Sequence, residues 1–302
     1  MKAKNRKRRQ RVIMNTVFLI MILFIVLLLG SLGIMRIRRD KNLDLTMAYQ
    51  EQESLDNAGE FQRAQPFAAE LCVTAENVGL EGVSMVNDEK SCLLDIDNSE
   101  VMFAQGIHEK AYPASITKII TAILAIKYGD MDDVVTISQN AVTLEEGSQL
   151  CGFQPGDMVT MDELFHGLLV YSGNDAAMAI AEHLGGSVEH FVEMMNEEAR
   201  ALGATNTHFV NPTGLHDDDH YTTAYDIYLM LNEALNYDYF VDVMQLSVYN
   251  LTLTRGSEEV QLHLDSTDHY LTGEESAPPG VTVLGGKTGT TSKAGSCLAI
   301  LS

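Results

Sequence analysis

Four features are missing from this 302-residue chain, and each absence removes a class of protein. Its four cysteines (Cys72, Cys92, Cys151, Cys297) form no C-x-x-C pair, so nothing has the ligand spacing of structural zinc. Two readings stand for them: small buried hydrophobes, or, outside a membrane, a disulfide for which Cys72 and Cys92 are nearest in sequence. No G-x-S-x-G occurs, which argues against the nucleophile elbow of the α/β-hydrolases. Internal repeats and low-complexity tracts are also absent, which excludes a solenoid. Positive charge is scarce beyond residue 41: only nine of the 20 Lys and Arg lie there, against 41 of the 42 Asp and Glu. A body that acidic repels nucleic acid.

The missing cations are at the other end. Residues 1–41 hold eleven basic residues and one acid, Asp40. Seven of the basic residues precede an uncharged run from Val12 to Met35 and four follow it. As a helix those residues span about 36 Å at 1.5 Å each, enough to cross a hydrocarbon core of about 30 Å. The run is longer than a secretory h-region, and "GSLGIMRIRRD" is a poor cleavage site. An uncleaved single-pass anchor is therefore expected over residues 1–41, with the N-terminus cytoplasmic and the acidic body outside. The alternative is secretion after signal-peptide cleavage. Residues 42–70, polar and rich in Gln and Glu, read as a spacer, with the folded body over 71–302.

In that body, "SCLLDIDNSEVMFAQG" alternates around Asn98-Ser99 and predicts a β-hairpin. "YPASITKIITAILAIKYGD" predicts a helix that buries Ile116, Ile119, Ile120 and Ile123 and ends at Gly129. A helical block follows over about 135–243, with caps expected at Thr160 (Glu163 three residues on) and Thr223 (Asp226 three on). "SVYNLTLT", "VTVLGGKTGTT" and "GSCLAILS" read as strands. The order suggests one α/β body with a helical insertion rather than a doubly wound fold.

Three short motifs carry the chemistry. Ser115 and Lys118 form S-x-x-K, about 60° apart on a helical face. A serine hydroxyl is a poor nucleophile until a base takes its proton, and a lysine serves only if burial or a nearby cation lowers its pKa. "YSGND" supplies Ser172 and Asn174 at a junction of two helices. "GGKTGTT" puts Lys287, Thr288 and Thr290 beside Gly289 on a strand, a set of one cation and two hydroxyls suited to a carboxylate. "HDDDH" (His216 to His220) offers imidazoles at i and i+4, but "NPTGL" before it is loop chemistry, so no metal is expected. His166, His183 and His190 lie in helices and read as partners or surface groups.

Together S-x-x-K, S-x-N and K-T-G are the set used by serine acyl-enzymes of the penicillin-binding proteins and class A β-lactamases. With "LLVYSGNDAAMAIAE", "GSVEHFVEMMNEEARALGATNTHFVNPTGL" and "HYTTAYD", residues 91–302 resemble the low-molecular-mass penicillin-binding proteins, serine-type D-alanyl-D-alanine carboxypeptidases. The resemblance implies a β-lactamase/transpeptidase-like fold, an antiparallel sheet flanked by helices with an all-helical subdomain. It also implies a mechanism without cofactor or metal. Ser115 would be the nucleophile, Lys118 the general base and Ser172 the proton relay. Asn174, Lys287, Thr288, Gly289 and Thr290 would bind stem peptides ending in D-Ala-D-Ala, or β-lactams, and the N–H groups of Ser115 and Thr290 would form the oxyanion hole. The family pattern continues beyond "AGSCLAILS", so its last sheet strands and C-terminal helix are expected to be missing here. Two other functions fit the same motifs: a β-lactamase, for which no deacylating glutamate follows S-x-N (Glu145 and Glu146 precede it), and a non-catalytic, membrane-tethered peptidoglycan-binding or divisome-binding protein.

Overall fold

A computed structural model describes residues 71–83 and 89–302. The anchor and the spacer expected at 1–41 and 42–70 lie outside the described residues. Among the described residues, no helix is long and apolar enough to cross a membrane.

The architecture is mixed α/β, with seven α-helices and three antiparallel sheets among the described residues. Strands β1 (Ser91–Asp95) and β2 (Glu100–Gln105) form the expected hairpin, turning at Ser99 with φ 54°. The next sheet has the order β3-β4-β5-β6 and comprises Val134–Thr136, Met158–Thr160, Val248–Arg255 and Glu258–Asp265. Strands β7 (Gly285–Thr291) and β8 (Gly295–Leu301) pair through all seven positions.

Helix α1 (Lys118–Tyr128) is the centre of the body, because every residue from Lys118 to Ala125 is buried. It packs against α2 (Met161–Leu169), α3 (Asn174–Gly185), α4 (Val188–Ala201) and α5 (Ala224–Ala234). A helix hydrophobic all round needs such a surrounding layer, and each fully buried Ile or Phe contributes about 1.5–3 kcal/mol. Phe165, Phe191, Phe209 and Phe240, the last in α6 (Asp238–Met244), fill the space between these elements. At the end of α1, Lys127 pairs with Glu198 at 2.6 Å and Glu233 at 2.9 Å, which ties α1 to α4 and α5.

The sequence-predicted caps form. Thr160 Oγ1 accepts the Glu163 N–H at 3.2 Å, and Thr223 Oγ1 accepts that of Asp226 at 3.0 Å. The Gly129 N–H closes α1 on the Ala125 carbonyl. The head of the predicted helix differs. Residues Ala114–Thr117 form a 3-10 turn before α1, entered behind Pro113 through Ala114 at φ 48°. In a 3-10 turn residues i and i+3 eclipse, so the start of S-x-x-K is aligned more closely than an α-helix would place it. All four cysteines are free thiols; Cys72 and Cys151 are buried, and burial pushes the Cys92 thiol up to about 11.

Candidate active site

Ser115 sits in the 3-10 turn at the mouth of a cleft of about 540 Å³, which is also lined by Ser172, Asn174, Thr288, Gly289 and Thr290. Lys118 and Lys287 lie behind that lining, 0% and 3% exposed. The eight residues predicted from sequence are thus brought together from the 3-10 turn, the start of α1, the junction at the start of α3, and β7.

Lys118 Nζ is 2.9 Å from Ser115 Oγ, 2.6 Å from Asn174 Oδ1 and 2.8 Å from the Thr213 carbonyl. Burial, and then the positive charge of Lys287, lowers the pKa of this amine well below its ordinary value. A neutral amine has two N–H donors and one lone pair. In that form the Asn174 and Thr213 oxygens would take the donors, which would leave the lone pair for the Ser115 hydroxyl. The arrangement can therefore hold a base against a serine hydroxyl.

The second lysine is arranged differently. Lys287 Nζ donates to Ser172 Oγ at 2.7 Å and to the Thr288 carbonyl at 2.9 Å. Burial lowers its pKa to about 7, and the Asp268 carboxylate works in the opposite direction. Ser172 adopts φ 64°, so the tight turn between α2 and α3 turns its hydroxyl toward Lys287. Thr288 Oγ1 donates to Thr267 Oγ1 at 2.5 Å. Thr288 and Thr290 thus line one end of the cleft with the Lys287 amine behind them, a set that fits a small carboxylate.

Two glycines allow the backbones to meet. A Cβ on Gly289 would lie 2.8 Å from the Ser115 nitrogen, so β7 runs directly against the nucleophile turn. A Cβ on Gly214 would lie 1.8 Å from the Ala114 oxygen, and Gly214 adopts φ 84°.

The chain is similar to known proteins. Residues 80–301 match the peptidase S11 family, described as D-alanyl-D-alanine carboxypeptidase. This chain belongs to that family. It is 38% identical to D-alanyl-D-alanine carboxypeptidase DacF of Bacillus subtilis over 170 residues, which are 54% of this chain and 43% of that protein. It is 35% identical to DacA of Escherichia coli over 160 residues, 50% of this chain and 40% of that protein. The match therefore spans less than half the length of these curated relatives. Among solved structures, a D-alanyl-D-alanine carboxypeptidase of Mycobacterium tuberculosis aligns at TM-score 0.61 and 27% identity, covering 73% of this chain and 80% of that one. A point mutant of the Streptomyces K15 DD-transpeptidase aligns at TM-score 0.63 and 25% identity, covering 68% and 82%. The fold is accordingly that of the DD-transpeptidases and penicillin-binding proteins.

Other residues of this S11 chain that support the site were not read from sequence. Asp175, fully buried, accepts the N–H groups of Cys151 and Ala176 on Oδ1 and of Gly152 and Phe153 on Oδ2. It thereby fixes the loop whose residues Ser148 and Gln149 form one wall of the cleft. Asn211 Oδ1 accepts the N–H groups of Thr213 and Gly214 and holds the turn that presents the Thr213 carbonyl to Lys118. The dipeptides "NP" and "TG" signal a turn there, but not which lysine it meets.

The histidines lie apart from this chemistry. His166 stacks on Tyr249, and His183 and His190 face Asp133 and Glu193. The two histidines of "HDDDH" diverge: His216 faces Asp218 at the surface, whereas His220 is buried against Thr117. Glu145 and Glu146 are exposed and outside the cleft lining.

Proposed function

We propose that this chain is a serine-type carboxypeptidase that removes the terminal D-Ala from peptidoglycan stem peptides through an acyl-enzyme, and that β-lactams acylate it at the same serine. The observation that carries this reading is the 2.9 Å contact between Ser115 Oγ and a buried Lys118 amine whose other partners are both acceptors.

In this mechanism the terminal carboxylate lies against Lys287, Thr288 and Thr290. Ser115 Oγ bonds to the carbonyl carbon of the penultimate D-Ala as its proton passes to Lys118 Nζ. The oxyanion is held by the N–H groups of Ser115 and Thr290, donors of a kind worth roughly 3–4 kcal/mol each. The C–N bond then breaks and D-Ala leaves with a proton relayed through Ser172. Water, deprotonated by Lys118, displaces the acyl group and Ser115 regains its proton. The uncharged run from Val12 to Met35, flanked by seven and four basic residues, supports a membrane tether that keeps the acidic body on the extracytoplasmic side.

The test is intact-protein mass spectrometry of the 302-residue chain after brief exposure to a penicillin, followed by assays of D-Ala release. One adduct on Ser115 is expected, absent from Ser115→Ala and nearly absent from Lys118→Ala. Full labelling of either variant would overturn the assignment. Rapid turnover of penicillin instead of a lasting adduct would favour a β-lactamase.

A further inference from the structure

His220 is the part of "HDDDH" that the mechanism leaves unused, and it is 2% exposed. Both ring nitrogens are engaged: Nε2 lies 2.9 Å from Thr117 Oγ1, and Nδ1 lies 3.2 Å from the Val210 nitrogen. Thr117 spends its one hydroxyl proton on the Ala114 carbonyl, at 2.8 Å. Its oxygen must therefore accept from His220, which puts the ring proton on Nε2. Nδ1 in turn accepts the Val210 N–H. One neutral tautomer satisfies the whole chain, from Val210 through His220 and Thr117 to Ala114.

The end of this chain is the Ala114–Ser115 peptide. Its carbonyl receives the Thr117 hydroxyl, and its N–H is the donor assigned to the oxyanion hole. A peptide is planar, so fixing the carbonyl aims the N–H as well, and a hydrogen bond to the carbonyl strengthens the N–H as a donor. Ala114 needs that restraint, because it is a non-glycine residue at φ 48°. The other end of the chain leads into the Asn211–Leu215 turn, which supplies Thr213 to Lys118 and Gly214 to the Ala114 carbonyl.

We propose that His220 is a positioning residue which, through Thr117, sets the plane of the Ala114–Ser115 peptide and so aims the oxyanion donor at the acyl carbon. This rests on the carboxypeptidase reading. An aimed donor acts on the transition state, so its loss lowers the limiting rate of acylation and leaves the initial affinity for the acylating agent unchanged.

The test is the kinetics of acylation by a penicillin, resolved into initial binding and limiting rate, with thermal unfolding of every variant of the 302-residue chain. His220→Gln can return an amide donor to the Nε2 position, whereas His220→Asn reaches only the Nδ1 position. Gln is expected to keep the limiting rate within about threefold and Asn to lose about tenfold or more, since complete removal of an oxyanion donor costs roughly 10²–10³. Thr117→Val should match Asn, Thr117→Ser should restore the rate, and Thr117→Val with His220→Asn should lose no more than either alone. Equal rates for Gln and Asn, losses confined to initial binding, or losses that track the melting temperature would overturn the role of His220. Failure of the wild-type chain to acylate at all would instead overturn the functional reading, and the proposal with it.

Discussion

Gly289→Ala isolates the contact between strand β7 and the nucleophile turn. Gly289 is not among the residues with positive φ, so alanine meets no backbone penalty there. All the strain comes from space: the new Cβ would lie 2.8 Å from the Ser115 nitrogen, 3.1 Å from Ala114 Cβ and 3.1 Å from the Ile116 nitrogen, where ordinary contact begins at 3.4 Å. Two of the three are backbone atoms, so the turn as a whole must recede by about 0.6 Å. Overpacking of this kind costs about 1–3 kcal/mol of stability. Moving the nucleophile away from its base and its oxyanion donor costs more in rate, and a misplacement near 1 Å can cost about 10²-fold. Thermal unfolding and the rate of penicillin acylation together check both numbers. Gly295→Ala is the control. It sits at φ 70° with nothing near its Cβ, so it should lose about 1–2 kcal/mol from left-handed strain and keep its acylation rate. A Gly289→Ala protein that acylates at the wild-type rate, or a control that loses as much activity, would refute the reasoning.

Two further outcomes follow from the buried polar groups. His220 is held neutral by burial, with its pKa lowered to about 4 against an ordinary value near 6.5. A depressed pKa means that this contribution to stability is complete above about pH 6.5 and is lost as pH falls through about 4, in total about 3 kcal/mol. Unfolding free energies measured from pH 7 to pH 4 should fall more steeply for the wild-type chain than for His220→Gln, and identical slopes would count against the buried neutral ring. Asp175→Asn leaves only one of two carboxylate oxygens to accept four N–H groups, and each buried donor left unpaired costs about 1–3 kcal/mol. The variant should melt markedly lower and acylate slowly through the displaced Ser148–Gln149 wall; an unchanged melting temperature would show that the loop is held by other contacts.

The sequence alone determined whatever is local. Ser115 and Lys118 meet because side chains three residues apart share one face of a turn, and the resemblance carried by S-x-x-K, S-x-N and K-T-G implies the other groups of the site. Thr160 and Thr223 announce their helices, and Asn98-Ser99 its hairpin, because caps and turns depend on a few neighbouring residues. The short strands β3 and β4 are not legible in the sequence, since three residues establish no period, and β6 alternates but opens on two glutamates and buries only Leu264. Tertiary structure decided what turns the motifs into a site. The partners of Lys118, Lys287 and His220 lie on the Asn211–Leu215 turn, the turn into α3, and Thr117 in the nucleophile turn, and no periodicity encodes contacts between such distant segments. The lowered pKa of Lys118 is also a tertiary property. Lysine is a charged residue by composition, and it becomes a base only where helices and strands from every side exclude the water that would keep it protonated.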